Sequence, residues 1–405
     1  LSLSLAMIRP TKQERSDVQG LKSIAVFGIM LFGLAPRWFV NGFLGVDLYF
    51  VLSGYHTAAI LWREPMLNRS VIARFYIIRF KRIIPLYVIM LLILSIIVPV
   101  CFPPADLPSF ITDLKWALSL MTNLPHVLNG YDYWPDVDYW VLRHTWPICV
   151  ELQYCLLASL IDIIARSLHH PLLRLPFFLA LGGLSFVKQF FFTSSPFDLV
   201  FSRLWQFLIG RIAFKLEQWN AGIDGDTLMD EEDEEMDNIE RGEPHKTRHR
   251  PSSHSLLQHC LSYCMIAFLF CVIFVTSWNP WLCRLLITLA AGSLLLMGRN
   301  SCNIILSNRI LVYISDYSYM LYLVHWPVTV VYKYRHKQEE LTAGGMLICL
   351  FTTLKLAMVL HHTLERFFIA ASTTVAVGIV TIVYVIMSII MLTGGMEQIS
   401  EYVHR

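Results

Sequence analysis

Charge is scarce in this chain. Only 15% of its 405 residues are Asp, Glu, Lys or Arg, where soluble domains run near ~25%. The net charge is +2. So small a charge excess excludes the bulk electrostatic footprint of a nucleic-acid binder, and no nucleic-acid partner is expected. The cysteines (Cys101, Cys149, Cys155, Cys260, Cys264, Cys271, Cys283, Cys302 and Cys349) form no Cys-x-x-Cys pair, and no His/Cys group has zinc-ligand spacing. Neither a disulfide framework nor a metal site is expected. Most of these thiols lie in apolar runs and read as small buried hydrophobes. No internal repeat is present, which weighs against an inverted-repeat transporter. The opening LSLSLAM is too short for a signal peptide, so the first long apolar segment is expected to act as a signal anchor.

Apolar residues are abundant: 56% of the chain is hydrophobic, with mean hydropathy +0.54. A spanning helix needs about 20 mostly apolar residues. Candidates lie at 22–34, 43–61, 83–102, 147–165, 172–192, 199–214, 260–278, 281–297, 310–331, 343–360 and 373–392. The fold expected is an all-α polytopic transmembrane bundle of ten or eleven spans. Lys and Arg concentrate on one side, most densely at Arg63, Arg69, Arg74, Arg79, Lys81 and Arg82. The positive-inside rule makes that side cytoplasmic. The N-terminus is then cytoplasmic, and an odd number of spans puts the C-terminus outside.

Five segments follow: 1–21 as a cytoplasmic N-terminal stretch, 22–216 as a first membrane part, 217–258 as a loop, 259–370 as a second membrane part, and 371–405 as a last span and tail. The loop reads DTLMDEEDEEMDNIE and then HKTRHRPSSH; such runs bury no core and are expected to be disordered. Residues 103–140 form a long outer loop with Pro, Asp and Trp, a length that is often functional.

Ionisable side chains inside spans are energetically costly and usually functional, which makes them the informative positions. Arg79 and Arg82, in FYIIRFKRIIPLY, share a helical face at i, i+3 spacing. Paired guanidiniums suit phosphate, although ordinary positive-inside anchoring fits as well. His144 and Glu151 lie in LRHTWPICVELQY. Pro147 suits a first helical turn, which sets Glu151 one turn deep and His144 just outside, at the outer surface. A carboxylate at that depth needs a partner or a wet cavity; a structural pair with Arg143, or a helix cap, is the plainer alternative. His325, in YSYMLYLVHWPV, shares a face with Ser318 and Tyr322. It can act as a general base, or simply bond a neighbouring helix. Pro327 is positioned to bend or end that helix. His361, His362 and Glu365 read as interface anchors, and His56 is a further lone histidine.

The stretch DVQGLKSIAVFGIMLFGLAPRWFVNGFLGVDLYFVLSGY resembles the opening of the acyltransferase-3 family of membrane O-acyltransferases, in the long form typical of nematode members. The likeness continues through RFYIIRFKRIIPLY, HTWPICVELQY, SRLWQFLIGR and ISDYSYMLYLVHWPV, and covers most of residues 15–370. It implies transfer of an acyl group, typically acetyl, from cytoplasmic acyl-CoA to a hydroxyl of a carbohydrate or lipid acceptor across the bilayer. Acyl-CoA is then a donor substrate, and no permanently bound cofactor is implied. Arg79 and Arg82 match the family's R-x-x-R donor motif, while His325 and Glu151 match polar positions of its later motifs. The family's first span carries Arg, ten residues, then the His taken as general base. Here those positions are Lys22 and Gly33. Glycine has no proton acceptor, and losing a general base costs about 10²–10⁴-fold in rate. Lys22 keeps the charge and serves as a third donor contact, without the planar fork. His325 or His56 can take the missing base's place if either projects into the same cavity, and His325, His144 and Glu151 are the acid/base candidates. The alternatives are an impaired family member that binds or regulates, and a transporter of a lipid or small solute. Many eleven-span members continue into an outer esterase-like domain, which would follow GGMEQISEYVHR.

Overall fold

A computed structural model describes residues 15–62, 67–125, 140–168, 170, 173–192, 199–240, 253–274, 278–297 and 304–404. Among the described residues there is no strand. In chain order the helices are α1 (Ser16–Leu34), α2 (Gly45–Leu61), α3 (Arg69–Cys101), α4 (Leu107–Leu118), α5 (Trp146–Ser167), α6 (Arg174–Phe192), α7 (Val200–Glu240), α8 (Ser253–Phe274), α9 (Pro280–Met297), α10 (Arg309–Asp316), α11 (Ser318–Arg335), α12 (Ala343–Leu360), α13 (Arg366–Ala370), α14 (Thr373–Leu392) and α15 (Gly395–His404). Each expected span coincides with described helix, the one at 310–331 with two helices. Among the described residues, seven helical stretches are each long and apolar enough to cross a bilayer: Ser16–Leu34, Gly42–Leu61, Arg69–Cys101, Arg143–Ser167, Pro280–Met297, Ala343–Ala370 and Thr373–Leu392. The protein is an all-α, multi-pass membrane protein.

Helix starts follow local chemistry. Asn68 accepts from the Val71 amide, Thr342 from Gly345 and Ser372 from Val375, each satisfying an orphan donor of a first turn. At 33 residues, α3 is about 50 Å long, well beyond the ~30 Å hydrocarbon core. Its basic first turns therefore reach out of the apolar zone and leave Arg79 near the boundary.

Helix α2 lies against α7 with backbones in contact. A β-carbon on Gly54 would overlap the Phe207 carbonyl, and one on Gly210 the Val51 carbonyl. Small residues at the crossing permit this approach, and it brings charged groups of the two helices together. Arg203 of α7 bonds Asp47 of α2 at 2.9 Å, and Gln206 adds a second donor to the same carboxylate. One turn pair further on, Arg211 meets Asp162 of α5 at 2.8 Å, which also accepts from Trp62 Nε1 at 2.9 Å. All four ion-pair partners are almost fully buried.

Four expectations change. The span at 310–331 is two helices, α10 and α11, meeting at Tyr317, whose backbone (φ −102°, ψ 13°) leaves the helical region. Pro327 does not end α11, which runs on to Arg335. Helix α7 continues as backbone helix to Glu240 through the acidic run, in keeping with the high helix propensity of Glu and Met; residues 241–252 lie outside the described residues. In the connection 103–140, expected to be loop, 107–118 is helical, and 126–139 lie outside the described residues.

Candidate functional site

Helices α1, α2, α5 and α11 enclose two small cavities stacked along the bundle. Pro327 begins the construction of the outer one. It has no amide hydrogen, so the carbonyl four residues earlier, Leu323, receives no helical bond. His144 Nε2 donates to that carbonyl at 3.0 Å. Tyr322 donates its hydroxyl back to the His144 carbonyl at 2.5 Å, and Trp326 Nε1 donates to Trp140 O at 2.7 Å. The segment 140–145 is thereby tied to α11 by three bonds. His144 is buried, not at the outer surface as its place before Pro147 implied, because the freed carbonyl draws it inward.

His325 stands beside it, ring centroids 5.9 Å apart and nearly perpendicular. Its Nδ1 lies 2.6 Å from the Tyr322 carbonyl. A carbonyl only accepts, so in the neutral ring Nδ1 carries the proton and Nε2 is left with its lone pair. By the same logic His144 carries its proton on Nε2, and its buried Nδ1 has no partner. Both rings line a cavity of about 30 Å³ together with Gly33, Phe43, Arg143 and Tyr322. That is room for about one water molecule or one hydroxyl group. Gly33 faces His325 directly: a β-carbon there would lie 3.4 Å from His325 Cδ2 and 3.9 Å from Nε2.

The inner cavity, about 20 Å³, is lined by Lys22, Tyr49, Glu151, Ser318 and Tyr319. It shares Ile29, Val46, Pro147 and Tyr322 with the outer one, so the two meet at that apolar collar. Below it, Arg79 Nη1 donates to Glu151 Oε1 at 3.0 Å, and Nη2 to Thr57 Oγ1 at 2.8 Å and Ser53 O at 3.3 Å. Ser53 Oγ donates to the same carboxylate oxygen at 3.0 Å. One oxygen of Glu151 thus accepts from both a guanidinium and a hydroxyl, and its partner is Arg79 rather than Arg143.

The two arginines expected to act together are divided. Arg79 spends both terminal nitrogens inside the protein, while Arg82, one turn on, is exposed. Lys22 Nζ bonds Ser315 O at 3.2 Å. His56 bonds Leu52 O through Nδ1 at 2.8 Å and feels the charges of Lys22, Arg79 and Arg82, which make up a basic mouth; it does not line the outer cavity. His361 and Glu365 pair with each other at 2.9 Å in a π-helical turn, away from both cavities. Sequence reasoning missed the pairs Asp47–Arg203 and Asp162–Arg211. The signal was present, since each is an ionisable residue within an apolar span, the criterion that singled out Glu151. Among the described residues no group of His, Cys, Asp and Glu is arranged to hold a metal.

The chain resembles O-acetyltransferase OatA of Staphylococcus aureus strain NCTC 8325 / PS 47 and its namesake in strain COL. Each is 30% identical over 145 residues, which is 36% of this chain and 24% of the relative. The matched region thus spans about a quarter of those proteins. No solved structure matches. A family description, the acyltransferase domain, matches residues 15–362, which takes in the basic mouth, both cavities and α11. The protein is a member of the acyltransferase-3 family.

Proposed function

We propose that the protein transfers an acyl group, acetyl in the first instance, from acyl-CoA entering at the basic mouth to a hydroxyl in the outer cavity, with His325 as general base. The observation that carries this reading is the pairing of Gly33 with His325. The first span has lost its base, yet the position it left is faced by an imidazole whose Nε2 lone pair is free to accept. OatA is named as an O-acetyltransferase, and the family is one of acyltransferases; both support the reaction class.

In this reading Arg82 and Lys22 meet the phosphates of the donor, and the cytoplasmic side is the basic one. Arg79 keeps its bonds to Glu151 and positions the mouth. The pantetheine arm threads the collar of Ile29, Val46, Pro147 and Tyr322. The acceptor hydroxyl gives its proton to His325 Nε2 while its oxygen attacks the thioester carbonyl. Arg143 faces the oxyanion that forms. The C–S bond breaks, CoA leaves as thiolate, and the imidazolium returns the proton to it or to solvent. His144 packs edge-on against His325 and holds its orientation. The acceptor is a carbohydrate or lipid hydroxyl on the far side, the N-terminus is cytoplasmic, and the C-terminus is outside.

The test is acyl transfer by purified protein in lipid vesicles with acetyl-labelled CoA. Label should leave CoA in the wild type, and His325→Ala should slow this about 10²–10⁴-fold, the usual contribution of a general base, with donor binding retained. Donor binding without turnover in the wild type would refute the reading. It would favour instead the second one that Gly33 motivates, a member that binds acyl-CoA without catalysis.

A further inference from the structure

The broadest cavity among those described lies off the reaction path. It is a groove of about 490 Å³ between α3, α11 and α12, against about 20 and 30 Å³ for the two cavities of the site. Met90, Ile93 and Ile97 of α3, Val328 of α11, and Ile348 and Thr352 of α12 form its walls. Almost everything along its length is hydrocarbon. Its polar groups gather at one end, where Tyr332, Arg335 and His336 close α11.

That end is cationic. Arg335 is exposed and has no carboxylate partner among the described residues. Lys333 and Lys337 lie within the same turn. Of the two acids nearby, Glu340 is engaged by Arg37, which leaves Glu339. The His336 ring stacks on Tyr332, centroids 4.1 Å apart, so the groove's lip is a flat aromatic edge that Arg335 also lines. Along α3 the lining runs from Leu86 to Ile97, about 16 Å at the helical rise, or half of the ~30 Å hydrocarbon core. The groove is one leaflet deep, greasy throughout, and positively charged at its outer lip.

We infer that this groove is a binding site for an anionic phospholipid, with one acyl chain in the bore and the phosphate on Arg335. Arginine suits a phosphate because its planar fork donates two parallel bonds. The site also has a consequence for the reaction cavity, because α11 is the wall between them. Leu323, Val324 and Pro327 face the groove, while Tyr322, His325 and Trp326 face the outer cavity. A chain seated in the groove braces the helix that carries His325.

The full-length protein would be reconstituted in vesicles containing phosphatidylglycerol or phosphatidylcholine whose tail carries a photoreactive diazirine, and the labelled residues mapped. Labelling should fall on Met90, Ile93 and Thr352, with about a fivefold preference for the anionic lipid, the order of effect of one basic residue at an anionic headgroup. Arg335→Gln should remove the preference while tail labelling persists, and Thr352→Trp, which fills the bore, should remove groove labelling of both lipids. Both positions are exposed, and retained donor binding would show that the variants fold. Equal labelling by both lipids that Arg335→Gln leaves unchanged would mean ordinary annular lipid and overturn the inference. So would labels spread outside the groove, or cross-links to a second copy of the chain.

Discussion

Gly33→Ala should make the protein more stable and slower at once. Gly33 sits within α1, where alanine is favoured over glycine by about 0.8–1.0 kcal/mol. Nothing in the surroundings opposes the added methyl: its nearest neighbours would be His325 Cδ2 at 3.4 Å, Trp326 Cε3 at 3.7 Å and His325 Nε2 at 3.9 Å, all ordinary contacts. The expected gain is therefore about 1 kcal/mol, read as a higher midpoint in thermal unfolding followed by tryptophan fluorescence. The same methyl occupies much of a cavity of about 30 Å³. A hydroxyl held beside His325 Nε2 must then shift by an ångström or so, and displacement on that scale costs up to about 10²-fold in rate. Opposite signs in the two assays exclude unfolding as the cause of slower turnover. Gly33→His carries the test further. Its ring would run into His325, and overpacking costs about 1–3 kcal/mol, so that variant should lose both stability and turnover. Unchanged acyl transfer in the alanine variant would show that the acceptor does not sit against Gly33. Faster transfer in Gly33→His would show that the cavity is still shaped for a base on α1, and would refute the assignment of that role to His325.

Two further substitutions probe the scaffold around this site. Pro327→Ala gives α11 an amide that competes for Leu323 O, so His144 Nε2 loses its acceptor; turnover should fall at least tenfold while overall helicity is retained, checked by circular dichroism alongside the transfer assay, and unaltered kinetics would remove His144 from the positioning role. Arg79→Ala leaves the Glu151 carboxylate buried without its cation and should destabilise the protein by about 3–5 kcal/mol, whereas the double variant Arg79→Leu/Glu151→Leu should recover most of that loss in thermal unfolding. Equal destabilisation in single and double variants would mean that the pair is not the reason for the single variant's cost.

The architecture was legible because apolar runs of about 20 residues have few other fates. The site was legible in its parts and not in its connections. Searching spans for ionisable groups found Arg79, Glu151, His144 and His325. It could not tell that Arg79 takes up Glu151, since 72 residues separate them and a helix apolar on every side carries little periodic signal about its partner. The reading of Arg79 and Arg82 as one clamp rested on i, i+3 geometry, which holds. The division of roles depends on Ser53, Thr57 and Glu151 arriving from other helices. His144 illustrates the same limit. Its burial follows from a proline 183 positions later in the chain, a relation that only the folded backbone reveals.

The buried ion pairs also set an order of assembly. Asp47 enters the bilayer on α2, but its cation, Arg203, lies 156 residues further along the chain. Arg79 likewise precedes Glu151. A carboxylate in a span is costly until it is paired, and chains are delivered to the membrane at only ~5–20 residues per second. For about 8–30 s of synthesis α2 must therefore stay near the insertion machinery, or at the interface, until α7 emerges. Nascent chains that stall before residue 200 expose an unmatched acid in lipid, a mark by which quality control can separate them from finished protein.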